Sequence, residues 1–142
     1  MRSMKTYRDW IIVLAACAAC GGPLHYQTAS TGKAPGADAQ IEADVSEKQG
    51  QTRLTVSIKN LPPPERVAPD SQHYVAWYRS GPKSVWQRVA ALAYETETRE
   101  ASLNGSVPEK QFEFEITAEP AIDVASPSPN VVFVQGIGSG DT

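Results

Sequence analysis

Two cysteines near the amino terminus are the side chains of this sequence best suited to covalent chemistry. Cys17 and Cys20 are the only cysteines among 142 residues, and they stand three positions apart. A thiol can be acylated or oxidised, and the C-x-x-C spacing also suits a redox pair. A redox pair requires a thioredoxin-like βαβ pattern around it, and none follows these cysteines. Cys17 and Cys20 could otherwise be merely small apolar residues within a signal segment, or one of them could be acylated.

Other candidates for catalysis or metal binding are sparse. His25 and His73 are the only histidines, whereas a zinc site needs three or four converging ligands. No Gly-x-Ser-x-Gly nucleophile elbow is present. Glu113 and Glu115 would share one face of a strand and could approach a sugar or a cation together, but we interpret them as ordinary solvent-facing residues. The sequence thus predicts no catalytic residue, no metal site and no cofactor.

Residues 1–16 have the layout of an export signal. Arg2, Lys5 and Arg8 precede an uninterrupted apolar run over residues 10–16, which is the basic-then-apolar order of a secretory signal. The run is too short to span a bilayer, since a spanning helix needs about 20 apolar residues. We therefore predict that this segment is removed as a signal peptide.

The apolar run ends in Leu14-Ala15-Ala16-Cys17, which resembles the lipobox of bacterial lipoproteins. The resemblance implies that the Cys17 sulfur receives a diacylglyceryl group, that a peptidase cuts before Cys17, and that the new amino terminus is acylated, typically with palmitate. Two or more acyl chains anchor a protein stably to a membrane, whereas one chain does so only marginally. Cys20 is the alternative attachment site, although it lacks the large aliphatic residue three positions before it.

The lipobox also implies a location and a set of partners. The protein is expected to be anchored by lipid on the extracytoplasmic side of a bacterial cell envelope. Because Ala18 rather than Asp follows Cys17, the outer membrane is expected if the cell is Gram-negative. The expected partners are the membrane, through the anchor, and an envelope protein or a glycan. Without residues 1–16 the chain carries 10 basic and 15 acidic side chains, and the basic ones are scattered singly, which argues against nucleic-acid binding.

The rest of the chain predicts a tether followed by one all-β domain. Residues 17–38 are interpreted as a lipidated, flexible tether, because Gly, Pro, Ala, Ser and Thr dominate and no periodicity appears. Alternation of apolar and polar residues, typical of half-buried strands, begins at residue 39. Seven strands in residues 39–142 favour a single small immunoglobulin-like β-sandwich, with an up-and-down barrel as the alternative. The strands are predicted near 41–45, 54–58, 73–79, 85–94 (bent or broken), 101–107, 112–118 and 131–134.

The same alternation predicts which side chains form the core. The strand at 73–79 is expected to be central, because it carries large side chains on both faces. Trp77 and Tyr74 are interpreted as core residues, whereas Trp86 and Tyr94 are more open to an exposed role. One shared core is predicted to contain Ile41, Val45, Leu54, Val56, Ile58, Trp77, Phe112, Phe114 and Ile116.

Residues 73–136 resemble the extracytoplasmic C-terminal domain of anti-sigma-K-type factors. The resemblance rests on three segments in order: Tyr74-Val75-Ala76-Trp77-Tyr78, Val89-Ala90-Ala91-Leu92-Ala93-Tyr94 and Ile116-Thr117-Ala118-Glu119-Pro120. It implies a sandwich with a sensing or interaction role. The cytoplasmic sigma-binding helices and the transmembrane helix of that family have no counterpart in this sequence, so sigma-factor sequestration is not implied.

These observations favour a membrane-anchored lipoprotein with a non-enzymatic binding or interaction module. The alternative is an envelope hydrolase with an unrecognised active site. A pocket lined by converging titratable groups would favour the hydrolase, and a flat or aromatic-lined sheet face would favour binding.

Overall fold

The structure, a computed structural model, describes residues 22–138 and is almost entirely β. Two antiparallel sheets pack face to face, one with the strand order β1-β2-β3-β7-β6 and the other with the order β5-β4-β8-β9. The all-β expectation is confirmed, with nine strands in place of seven. The elements are β1 (Leu24–Ala29), β2 (Asp38–Ser46), β3 (Gln51–Lys59), helix α1 (Pro64–Val67), β4 (His73–Arg79), β5 (Gln87–Ala91), β6 (Ala93–Glu95), β7 (Glu100–Val107), β8 (Phe112–Glu119) and β9 (Val131–Ile137).

The order of the strands is that of an immunoglobulin-like sandwich. Taken in sequence, β2 to β9 correspond to strands A, B, C, C′, D, E, F and G, which places A-B-E-D in one sheet and C′-C-F-G in the other. The predicted immunoglobulin-like β-sandwich is therefore confirmed. β1 is an addition at the edge of the first sheet, where it pairs with β2.

β1 corrects the predicted tether. Residues 24–29 were expected to belong to a flexible spacer over residues 17–38, yet they form a six-residue strand in register with β2. Tyr26 in this strand packs against the core, and its hydroxyl accepts a hydrogen bond from the backbone N–H of Gly138. The folded domain therefore includes residues well before position 39, because pairing with β2 supplies the hydrogen bonds that a Thr- and Gln-containing segment cannot make alone.

The core lies between the two sheets and contains seven of the nine predicted members. These are Ile41, Leu54, Val56, Ile58, Phe112, Phe114 and Ile116. Val45 is only half-buried and lies outside the cluster. Trp77 is fully buried but also lies outside it. Because Tyr74, Ala76 and Tyr78 point into the core, the alternation of side chains along β4 turns Trp77 to the outer face of its sheet.

The fourth predicted strand is broken, as expected for residues 85–94. β5 belongs to the four-stranded sheet and β6 to the five-stranded sheet, with the buried Leu92 between them. The Leu92 N–H donates to the carbonyl of Tyr74, which keeps this residue attached to β4 at the crossing point. The chain thus changes sheets over a single residue.

Helix α1 lies between β3 and β4, in a segment where the sequence predicts no strand. Its first residue, Pro64, has a fixed φ and needs no backbone donor at a helix start. With four residues it is the one helix among residues 22–138, and no helix in that range is long and apolar enough to cross a membrane.

Candidate functional site

A polar groove lies on the outer face of the five-stranded sheet, where β1, β2 and β3 run side by side. Its volume is about 630 Å³, within the usual range for small-molecule sites. Two rows of directly paired residues form its floor, Gln27–Gln40–Ser57 and Ala29–Asp38–Lys59. Asn60, in the left-handed region at φ 60°, follows the end of β3 and closes one side.

The groove continues along the strands into a shallower depression. The two depressions share Gln27, Gln40 and Ser57, and the second adds His25 and neighbouring residues. Rows two residues apart on a strand are about 7 Å apart, and three strands span about 10 Å. Three successive rows therefore give an open surface roughly 14 Å long and 10 Å wide. His25, predicted to lie in a tether, belongs to this surface.

The polar side chains of the groove are not engaged with the rest of the protein. Within residues 22–138 no side-chain hydrogen bond or ion pair involves Gln27, Asp38, Gln40, Ser57, Lys59 or Asn60. The inward-facing Thr28 of the same strand differs, since its hydroxyl donates to Gln135 on β9. Asp38 and Lys59 are direct cross-strand neighbours, yet their charged groups are not within ion-pair distance. The hydrogen-bonding capacity of the groove is thus available to a ligand.

The outer face of the four-stranded sheet was expected to be solvent-exposed along β8, and this interpretation is wrong. Glu115 is 7% exposed and Glu119 is 2% exposed, while Thr117 between them is fully buried. Glu115 lies directly between Trp77 of β4 and Val134 of β9. The polar side of β8 is therefore paired with the apolar outer side of β4, and the two bury each other.

A chain of hydrogen bonds satisfies the inner part of this face. The Trp77 indole N–H donates to the Thr117 hydroxyl over 2.9 Å, and that hydroxyl donates to the Glu119 carboxylate over 2.5 Å. The backbone N–H of Ser128 donates to the same carboxylate oxygen over 2.7 Å. The Arg88 guanidinium donates to the carbonyl of Val124. These bonds hold the β8–β9 loop against the sheet, which explains how an outer-face tryptophan comes to be fully buried.

Glu115 is the group on this face whose ionisation is most affected by its surroundings. The pKa of the Glu115 carboxyl group is raised from its ordinary value of 4.5 to about 7, mainly by burial. The positive charge of Arg79 opposes this rise, and the negative charges of Glu119 and Glu113 contribute to it. No hydrogen bond from residues 22–138 to this carboxyl group offsets its burial. Its protonation therefore changes near neutral pH.

Glu113, the other predicted acid, has a different environment. Both Nε and Nη2 of Arg79 lie 2.8 Å from the same Glu113 oxygen. The Arg79 guanidinium also lies over the half-buried Trp86 ring, 4.5 Å from its centroid, which is a cation–π geometry. Arg79 thus holds Trp86 against the sheet. Trp86 is one of the two aromatic residues for which the sequence favoured an exposed role. These contacts account for Glu113 and Trp86 without a ligand.

Tyr94, the other aromatic residue expected to be exposed, is half-buried and has a structural role. Its ring meets the Tyr74 ring edge-on at 5.6 Å, and its hydroxyl donates to the carbonyl of Leu61 over 2.7 Å. The Tyr74 hydroxyl donates to the neighbouring Pro62 carbonyl. Burial raises the pKa of both phenols, so both remain donors to the loop that leads into α1.

The remaining predicted site residues are dispersed. Cys17 and Cys20 lie outside the described residues. His73 is exposed at the start of β4 and is remote in the sheet topology from His25 on β1. In the part of the chain that the structure describes, no group of three or more His, Cys, Asp or Glu side chains could hold a metal ion. The groove residues escaped prediction because β1 was assigned to the tether, although the polar positions of β2 and β3 already marked the outward face.

Comparison of the chain with known proteins gives no relative on which a function could be based. No protein-family model matches the sequence, and no curated protein matches it significantly.

Proposed function

We propose that this protein is a lipid-anchored, extracytoplasmic lipoprotein whose β-sandwich is a non-enzymatic module that binds an envelope protein or a glycan. The polar groove over β1, β2 and β3 carries the proposal. It is open and broad, and among residues 22–138 its outward-facing amide, serine hydroxyl and charged side chains make no side-chain hydrogen bond or ion pair. Such groups lose little free energy when a ligand replaces the hydrogen bonds that they make to water.

The Leu14-Ala15-Ala16-Cys17 motif supports the anchored location, with Cys17 as the lipid attachment site and Cys20 as the alternative. β1 begins at Leu24, only seven residues after Cys17. Seven residues span at most about 25 Å even when fully extended. The domain would therefore stay close to the membrane surface, nearer than the 17–38 tether implied.

The alternative function, an envelope hydrolase, has weaker support. Its strongest feature is the raised pKa of Glu115, since a carboxyl group that titrates near neutral pH suits general acid–base catalysis. Glu115 is only 7% exposed, however, so a substrate would not reach it. The larger depression contains one acid, Asp38, and the shallower one contains Glu42 opposite His25. Within residues 22–138 no serine or threonine hydroxyl is hydrogen-bonded to any of these three side chains, so a nucleophile–base pair is not assembled there. These features favour binding.

The binding proposal is tested by replacing groove side chains that make no internal contacts. The full chain is purified in the form that the cell produces after processing, and it is sedimented with envelope fragments. An excess of mild detergent is present so that micelles take up any acyl chains. We expect the double variant Gln27→Ala/Gln40→Ala to sediment at least several-fold less than the wild type. Asn104→Ala, an exposed change on β7 on the same face but outside the groove, is the matched control and should sediment normally. Equal sedimentation of the groove variant and the wild type would overturn the proposal.

The anchor is tested separately by lipid labelling and mass spectrometry of the mature amino terminus. Cys17→Ser should abolish labelling and block processing, because the thiol is the acylated atom. Cys20→Ser should leave both unchanged. An unmodified terminus downstream of residue 20 would refute the lipid anchor and leave the binding proposal standing.

A further inference from the structure

The charge of the groove limits the class of its ligand. The larger depression contains one cation, Lys59, and one anion, Asp38, directly opposite each other on neighbouring strands. The shallower depression adds one acid, Glu42, directly opposite His25. A polyanion needs several cations to replace its counterions, and a polycation needs several acids. Neither requirement is met. The remaining polar side chains that face the groove are the amides of Gln27, Gln40 and Asn60 and the hydroxyl of Ser57, so the ligand should be uncharged and polar.

From this lining we infer that the groove binds a neutral oligosaccharide, an assignment that rests on the proposed binding function and narrows its ligand. Each amide side chain offers two donors and one acceptor oxygen, and each hydroxyl offers both functions. A sugar hydroxyl is likewise a donor and an acceptor at once. Gln27 and Gln40 lie side by side across two strands, so their amides can bond to hydroxyls of one sugar unit. The adjacent rows can then bond to the next units of a sugar chain that lies along the strands.

A protein partner fits this face less well. Protein interfaces concentrate their binding energy in buried aromatic and apolar anchors. The large apolar side chains that are exposed among residues 22–138 are Leu24, Val85, Ile122 and Val134. Leu24 pairs with Ala43 on the inward side of the sheet, Val134 lies on the opposite sheet, and the other two are in loops attached to that sheet. The groove face therefore lacks a hydrophobic anchor.

The groove also lacks an aromatic platform, which predicts modest affinity. Tyr26, the aromatic residue that lines the shallower depression, packs against the core, and its hydroxyl accepts a hydrogen bond from the Gly138 N–H. Recognition would depend on hydrogen bonds alone, each of which adds little net stabilisation. We expect a dissociation constant of about 0.1–1 mM for one site. Many copies anchored on one membrane would raise the avidity for a polymer.

The inference is tested by calorimetric titration of the full chain with two soluble neutral probes, cellotetraose and tetra-N-acetylchitotetraose. At least one should bind saturably, with affinity about 10-fold weaker for Gln27→Ala/Gln40→Ala, since two hydrogen-bonding side chains are lost. Asn104→Ala should bind like the wild type. Circular dichroism of each variant checks that the fold is intact.

The outcomes separate the ligand class from the binding function. The inference is overturned if neither tetrasaccharide binds at about 10 mM, about ten times the weakest expected constant, or if binding is unchanged in the groove variant. A protein ligand would be indicated if sedimentation with envelopes depends on the groove but disappears after the envelopes are treated with protease. In that case the proposed function stands and the oligosaccharide assignment fails. If the groove variant sediments with envelopes as well as the wild type does, the proposed function itself fails.

Discussion

Replacing Glu115 by glutamine should stabilise the domain above neutral pH and have little effect in acid. The pKa of Glu115 is raised by burial from 4.5 to about 7, so the folded protein holds this proton more tightly than the unfolded chain does. Below about pH 4.5 both states carry the proton and the stabilising contribution is fully present. As pH rises toward 7 the unfolded chain ionises first, and the folded state loses stability until its own carboxyl group ionises. Glutamine removes this loss.

The magnitude follows from the two pKa values. At about 1.4 kcal/mol for each pKa unit, the difference between 4.5 and about 7 corresponds to about 3 kcal/mol. Solvent that reaches the edge of the carboxyl group screens part of this energy. We therefore expect the free energy of unfolding of Glu115→Gln, relative to that of the wild type, to be about 1–3 kcal/mol higher at pH 8 than at pH 4. This is a large share of the stability of a small domain.

Urea unfolding, followed by circular dichroism from about pH 4 to pH 8, measures this difference directly. Other titrating groups contribute to both proteins and largely cancel when the variant is compared with the wild type. Glu100→Gln is the control, because it removes an exposed carboxylate on β7 that does not contribute to the shift of Glu115, and its stability relative to the wild type should change little between the two pH values. If the stability difference between Glu115→Gln and the wild type is the same at pH 4 and pH 8, the burial argument is wrong.

Three further substitutions test the packing. Phe114→Ala removes a fully buried core ring and should lower the free energy of unfolding by about 3–5 kcal/mol; a loss below about 1 kcal/mol would contradict the assigned core. Gly138→Ala should cost about 1–3 kcal/mol in urea unfolding, because φ is +78° and the new Cβ would lie 2.1 Å from the Lys110 carbonyl oxygen. Gly32→Ala, with open space around it, should be nearly neutral. Thr117→Val removes the hydroxyl that links the buried Trp77 indole to Glu119 and should lower the free energy of unfolding by about 1–3 kcal/mol. Thr117→Ser keeps a hydroxyl and should retain most of the stability. If Thr117→Val is as stable as the wild type, the hydrogen-bond network contributes nothing.

The period-two pattern was sufficient to predict the fold class and the segments that form β2 to β9, but it missed β1. Strict alternation in β2, β3 and β8 gives each strand one apolar face, and two such sheets can bury those faces only by packing together. The break in residues 85–94 was also visible in the sequence, because no single period fits that segment. The lipobox needs no tertiary structure at all, since a peptidase and a lipid transferase read four successive residues, and it stays a prediction here.

The surroundings of Glu115 and of the groove depend on strand pairing, which the sequence alone does not show. The polar side of β8 looks solvent-facing in isolation, but its register with β4 sets Glu115 beside Trp77 and converts an ordinary carboxylate into a buried one with a raised pKa. In the same way, Gln27 looks like tether until β1 pairs with β2 and aligns it with Gln40. Alternation along one strand reports which residues share a face, whereas what that face touches depends on residues distant in sequence.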